Sequence, residues 1–140
     1  MLGDLIAEEK IKIIGRRVLS VDNGIPEIET STAGTGNYKG TDYQQTSTFC
    51  TIPRSDDGKI FYVKGQGTIT TTEGEMATYS GQAVGKQSEA GSGAMRFYGS
   101  LFYQTSSKEG KLSSLSNLVA VFETVVDDSN NALAKIWEWK

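Results

Sequence analysis

The chain has no histidine and a single cysteine among its 140 residues. Without an imidazole, a Ser-His-Asp triad, a Cys-His dyad and any histidine-ligated zinc or haem are excluded within one chain. Cys50 alone can form neither an intramolecular disulfide nor an all-thiolate zinc centre, which suits a reducing compartment without requiring one. Proton transfers must therefore run through carboxylates, tyrosines, lysines or bound water. No metal and no cofactor are expected.

A basic stripe is missing too. The formal charge is -3, and the one basic cluster (Lys10, Lys12, Arg16, Arg17) follows Glu8 and Glu9 and reads as a solvated strand face. Nucleic acid is not an expected partner, because nothing here neutralises a run of phosphates. No segment approaches the length of a membrane span, and the opening MLGDLIAEEK lacks the apolar run of a signal peptide. The expectation is a soluble, cytoplasmic protein. Helical periodicity over three turns appears nowhere. The length fits a single domain over residues 1–140 with a core of its own.

What is present is alternation. About eight strand-like segments lie between turn signals. The first runs from Glu8 to Val21, with Ile11 and Ile13 in step and a loss of phase at Ile14-Gly15, as at a bulge. The second spans Glu27 to Lys39 and the third runs from Gly40 to about Ile52. The fourth and fifth flank Thr72-Glu73-Gly74. A three-residue loop with Gly74 left-handed pairs Thr71 with Glu75, and hence Gly67 with Tyr79 and Val63 with Ala83. A loop from Ser88 to Gly93 leads to the sixth strand, Ala94 to Thr105. A short helical turn is expected at Leu112 and Leu115. The seventh strand, Asn117 to Val126, is apolar on both faces and is expected to be covered on both. The last ends in KIWEWK.

Between Lys59 and Gln104, glycines 65, 67, 81, 85 and 99 share odd numbering with Phe61, Val63, Ile69, Tyr79, Phe97, Leu101 and Tyr103. Side chains alternate along a strand, so these glycines stand on the apolar face. Glycines on that face imply strong coiling, close backbone approach or space for a guest. Tyr79 beside Gly67 would fill part of that space. The fold class is therefore all-β: an antiparallel meander of about eight strands closed into a barrel, which removes exposed edges.

The segments GKIFYVKGQGTITTTEGEMATYSGQAVGK, RFYGSLFYQTSS and KIWEWK resemble the allene oxide cyclase-like β-barrel superfamily, a calycin-like architecture. That resemblance implies an eight-stranded barrel, frequent dimers or trimers, and an apolar cavity for lipid- or polyketide-like molecules. It also implies that any activity is a cofactor-free cyclisation. No catalytic residue of the plant cyclases matches a position here.

Candidate site residues follow from face and type. Tyr79 and Tyr103 lie on the glycine-bearing face and Tyr38 and Tyr43 can join them, either as core aromatics or as hydroxyls that orient a ligand. Phe61, Phe97 and Leu101 would line the lumen. Glu123, within VAVFETVV, would be a carboxylate of raised pKa if it faces inward and an ordinary surface group if outward. Trp137 and Trp139 would plug one end of the barrel, with Trp137 as a wall for a ligand. Cys50 reads as a small buried hydrophobe. Arg96, Tyr98 and Phe102 fall on the outer face with Tyr62, Met76 and Val84, a collection suited to a homodimer or homotrimer interface. Gly65-Gln66-Gly67 and Gly34-Thr35-Gly36 lie within strands, so no helix N-terminus supports a phosphate reading. Two functions remain. One is a barrel that holds a small apolar molecule, with or without an isomerisation by Glu123, Tyr79 and Tyr103; the other is a non-catalytic barrel that acts through self-association or a protein partner.

Overall fold

The alternation, interrupted by turns rich in Gly, Asn and Asp, produces eight strands in the computed structural model, which describes residues 1–87 and 94–140. They are β1 (Leu2–Ser20), β2 (Glu27–Tyr38), β3 (Thr41–Pro53), β4 (Ile60–Thr71), β5 (Met76–Gln87), β6 (Met95–Thr105), β7 (Val119–Val126) and β8 (Asn131–Trp139). Each pairs antiparallel with the next, and β8 returns to β1 to close the barrel. The loop expected from Ser88 to Gly93 lies outside the described residues. Among the described residues, no helix is long and apolar enough to cross a membrane.

The turn chemistry sets the register. Gly74 adopts a φ of 90°, and its N–H donates to the Thr71 carbonyl at 3.0 Å. The Thr71 N–H in turn donates to the Glu75 carbonyl at 2.9 Å. This three-residue loop places Gly67 opposite Tyr79 and Val63 opposite Ala83, so the apolar faces of β4 and β5 coincide. In β1 the phase slips between Ile13 and Gly15, where a bulge interrupts pairing with β2.

β1 begins earlier than its pattern indicates and outruns one neighbour. Its pairing with β8 ends at Lys12 opposite Asn131, whereas its pairing with β2 continues to Ser20 opposite Glu27. From Gly15 to Ser20 one edge of β1 therefore has no strand partner among the described residues. The apolar residues of this overhang stay in solvent, with Ile14 63% and Val18 61% exposed.

Odd-numbered residues of β3 to β6 face the interior, as the glycine pattern requires, and so do Thr30 and Thr32 of β2 and Ala132, Ala134 and Ile136 of β8. Aromatic rings occupy much of the space beside three inward glycines. A Cβ at Gly36 would strike the Tyr43 ring, one at Gly67 the Tyr79 ring, and one at Gly85 the Phe97 ring. Glycine is needed here for close ring approach, the cross-strand packing inferred for Tyr79.

One end of the barrel is stoppered by the β6–β7 connection. The short 3-10 turn Ser113–Leu115 carries Leu115, which is buried with Leu112 against Ile6, Tyr38, Ile69 and Ile136. Each buried leucine contributes about 2 kcal/mol. The Glu75 carboxylate holds the connection by accepting hydrogen bonds from Ser107 Oγ (2.7 Å), Lys111 N (3.1 Å) and Leu112 N (3.3 Å). Tyr38 and Ser114 hydroxyls hydrogen-bond at 2.6 Å across the same seam.

Two sequence expectations are corrected. Trp137 and Trp139 do not plug the barrel: Trp137 stands outside, opposite Val121, and Trp139 is 53% exposed. The branched aliphatic face of Leu112 and Leu115 closes the end instead. The outer face of β7 is not fully covered either: Val125 is 46% exposed.

Candidate functional site

The barrel interior divides into two apolar clusters. At the stoppered end Tyr38, Tyr43, Ile69, Tyr103, Leu112, Leu115 and Ile136 pack together. Toward the other end Val63, Ala83, Phe97, Val126 and Ala132 form the second cluster, flanked by Ile11, Ile13, Phe49 and Phe61. A cavity of about 120 Å³ runs through this second cluster, reaching Leu101 and Ile136 of the first. Its lining is mostly apolar, and Glu9, Thr32, Ser47, Tyr79 and Thr124 are among the polar residues that border it.

Glu9 is the buried carboxylate of this lumen. It follows the same alternation as Ile11 and Ile13, which turns it inward between Gly36 of β2 and Ala134 of β8. These small neighbours leave room for the carboxyl group, which is part of a residue only 6% exposed. Removal from water disfavours the charge and pushes its pKa from 4.5 up to about 7, while a hydrogen bond from Tyr43 partly opposes that rise. Tyr43 O–H donates to Glu9 Oε2 at 2.6 Å. Burial, reinforced by the Glu9 charge, holds the Tyr43 hydroxyl well above the usual phenol range, so Tyr43 remains a donor.

A second polar chain crosses the lumen beside this pair. Gln45 Nε2 donates to Tyr79 Oη at 2.8 Å and to Thr32 Oγ1 at 3.3 Å. Thr32 Oγ1 and Ser47 Oγ share a 2.5 Å hydrogen bond. Burial first, then the charge of Glu9, raises the Tyr79 hydroxyl to about 12. The Tyr79 and Tyr103 rings lie 5.5 Å apart at 52°. Tyr103 is 3% exposed, and its hydroxyl is also held high by burial and by Glu9. These groups can hold a polar atom of a guest and, through Glu9, exchange a proton near neutral pH.

The expected residues divide by location. Tyr79, Phe97 and Leu101 line the cavity. Tyr38, Tyr43 and Tyr103 lie in the stoppered half, and Phe61 packs half-buried against the other cluster without lining the cavity. Glu123 does not enter the lumen: it faces outward opposite Tyr98 and Lys135. There it forms a 2.9 Å ion pair with Arg96, with 41% of its side chain exposed. The catalytic place considered for Glu123 is thus withdrawn, because its strand position points to solvent. Trp137, on the same outer face, is no lumen wall. Cys50 is half-buried on the outside between Glu29 and Lys64. Burial and the charges of Glu27 and Glu29 push its thiol up, away from a nucleophile. Among the described residues no cluster of His, Cys, Asp or Glu could hold a metal ion.

No protein-family model matches the chain, and no curated protein matches it. Solved structures do share its fold. A protein of unknown function from Clostridium acetobutylicum aligns with a TM-score of 0.75 at 12% identity, covering 98% of both chains. A conserved protein of unknown function from Rhodopseudomonas palustris aligns with a TM-score of 0.74 at 9% identity, covering 99% of this chain and 97% of its own. At such identities the likeness establishes the closed eight-stranded barrel and nothing finer.

Proposed function

We propose that this barrel is a receptor for one compact, mostly apolar molecule held in its lumen. The observation that carries the reading is a cavity of about 120 Å³ walled by Ile11, Phe49, Phe97 and Leu101, with the carboxyl of Glu9 at its side. Dry apolar cavities of roughly 150 Å³ accept benzene, whereas ordinary ligand pockets begin near 300 Å³. The guest in this reading is accordingly small, on the order of six heavy atoms. Chemistry on such a guest would run through Glu9, in place of Glu123. No cofactor is needed for a proton transfer of that kind.

Toluene titrated into the protein, followed by calorimetry or by shifts of lumen methyl resonances, tests this. Saturable binding is expected, together with its loss when Ala134→Leu fills the cavity. Toluene that fails to bind, or that binds Ala134→Leu equally well, refutes the receptor reading.

A second reading rests on the outer face. Phe102, 49% exposed, pairs with Val119, and Trp137 stands between Val121 and Leu5, which is 44% exposed. This apolar strip supports self-association. Sedimentation that returns a monomer at all concentrations excludes it.

A further inference from the structure

We propose that the lumen takes up its guest together with a proton, so that binding of an uncharged apolar molecule and protonation of Glu9 reinforce each other. The inference rests on the receptor reading and adds the condition under which the guest is held. It starts from position. Glu9 lies in the wall of the cavity, with Ile11 two residues on and Ala134 opposite, and both of these border the same space. Of the residues lining that space, only Glu9 and Tyr79 can titrate, and none carries a positive charge.

The groups around Glu9 leave its charge uncompensated. Its hydrogen bond comes from Tyr43, a neutral donor 2.6 Å away. None of the ion pairs among the described residues includes it, and every Lys and Arg is exposed. Glu8 and Lys135 stand opposite one another on the outer surface, where Lys10 also lies. Glu138 of β8 is four residues beyond Ala134, opposite Ala120. From the other strands Tyr38, Tyr43, Tyr79 and Tyr103 face inward. Tyr38 is hydrogen-bonded to Ser114, and burial keeps the other three hydroxyls protonated around neutral pH.

Filling the cavity acts on this carboxyl directly. A carboxylate at a cavity wall is supported in its charged form by water that enters the space, and a hydrocarbon in the same volume excludes that water. The protonated form loses far less. A guest must therefore raise the pKa of Glu9 beyond the value of about 7 that burial already gives it. Losing one hydrogen bond to the charged form weakens binding about tenfold, which corresponds to about one pKa unit. The coupling is reciprocal: the protonated barrel holds the guest more tightly, and the filled barrel holds the proton more tightly. Affinity is full below the pKa of the free protein, falls as the pH rises through it, and levels off above the higher pKa of the complex. Such a barrel captures its guest on the acid side of neutrality and releases it on the alkaline side.

The test titrates toluene into the full chain by calorimetry. Its affinity is expected to fall at least about fivefold between about pH 6 and about pH 9. At about pH 7.5 binding should take up about half a proton, read as a difference in binding heat between phosphate and Tris buffers, whose ionisation heats differ. Glu9→Gln, which cannot ionise, should remove both the pH dependence and the buffer dependence. A native affinity that stays constant across the range, or equal heats in the two buffers, overturns the inference and leaves the receptor reading intact. So does a fall in affinity that persists in Glu9→Gln. The buffer comparison needs only the native protein, so it decides the matter even where the variant does not fold. Toluene that binds at neither pH removes the receptor reading itself.

Discussion

Glu9→Gln is expected to abolish a fall in stability that the native protein shows between about pH 5 and about pH 8. The folded-state pKa of Glu9 is raised from 4.5 to about 7, chiefly because burial strips water from the carboxylate. Between those values the folded chain keeps a proton that the unfolded chain has released. Stability is therefore full below the ordinary carboxylate pKa, declines as the pH rises, and levels off above the folded value. The gap converts to about 3 kcal/mol, or a melting temperature lower by roughly 10 °C for a chain of this size. Glutamine cannot ionise but still accepts the Tyr43 hydrogen bond, so the variant's curve should be flat across the window. It should also lie above the native curve at the alkaline end. Asp57 and Glu75, whose pKa values are lowered by hydrogen bonds, do not interfere. Their contributions are present throughout this window and are lost only as the pH falls below it. Urea unfolding of both proteins at several pH values is the assay. Parallel curves would falsify the claim that Glu9 is buried in the lumen.

Other outcomes follow from the packing. Gly67→Ala should destabilise by about 1–3 kcal/mol because its Cβ meets the Tyr79 ring, whereas Gly15→Ala, with nothing within 4 Å, should be near neutral. Equal melting temperatures for the two variants would contradict the ring-over-glycine packing. Leu115→Ala should cost about 2–4 kcal/mol by opening a void in the stopper. Denaturant midpoints unchanged from the native protein would show that the connection does not close the barrel. Glu75→Ala should speed amide exchange at Lys111 and Leu112 ahead of the strands, since it deletes the acceptor for both N–H groups. Exchange that accelerates uniformly over the barrel would point to a global role instead.

Much of the fold was legible because one turn constrains it. Gly74 requires a left-handed conformation, only a three-residue loop aligns the apolar faces, and the remaining register of β4 and β5 follows. The inward direction of Tyr79, Phe97 and Leu101 could be read from the same parity. Glu9 carried an equally clear signal, two positions before Ile11, but its charge grouped it with Glu8 as surface. Alternation outweighed residue type there, since Gly36 and Ala134 leave space for a carboxyl and Tyr43 reaches it. Glu123 was ambiguous for the opposite reason. Apolar neighbours on both sides hid its phase, and only pairing with Tyr98 and Lys135 settles it. The stopper residues Leu112 and Leu115 were visible as a helical turn. Their destination was not, because no local pattern tells which end of a barrel a connection will cap.

The overhang of β1 bears on how this protein behaves in a crowded solution. An open strand edge is a template on which other chains can polymerise. This one carries Arg16 and Arg17 at its middle, with the Arg17 side chain 70% exposed. Two copies joining antiparallel about that stretch would bring Arg16 against Arg16 or Arg17 against Arg17, and the bulge before Gly15 twists the edge further from a flat match. Arg17 already pairs with Glu29 at 3.3 Å, so it is chiefly Arg16 whose charge would oppose such pairing, an opposition that salt would weaken by screening.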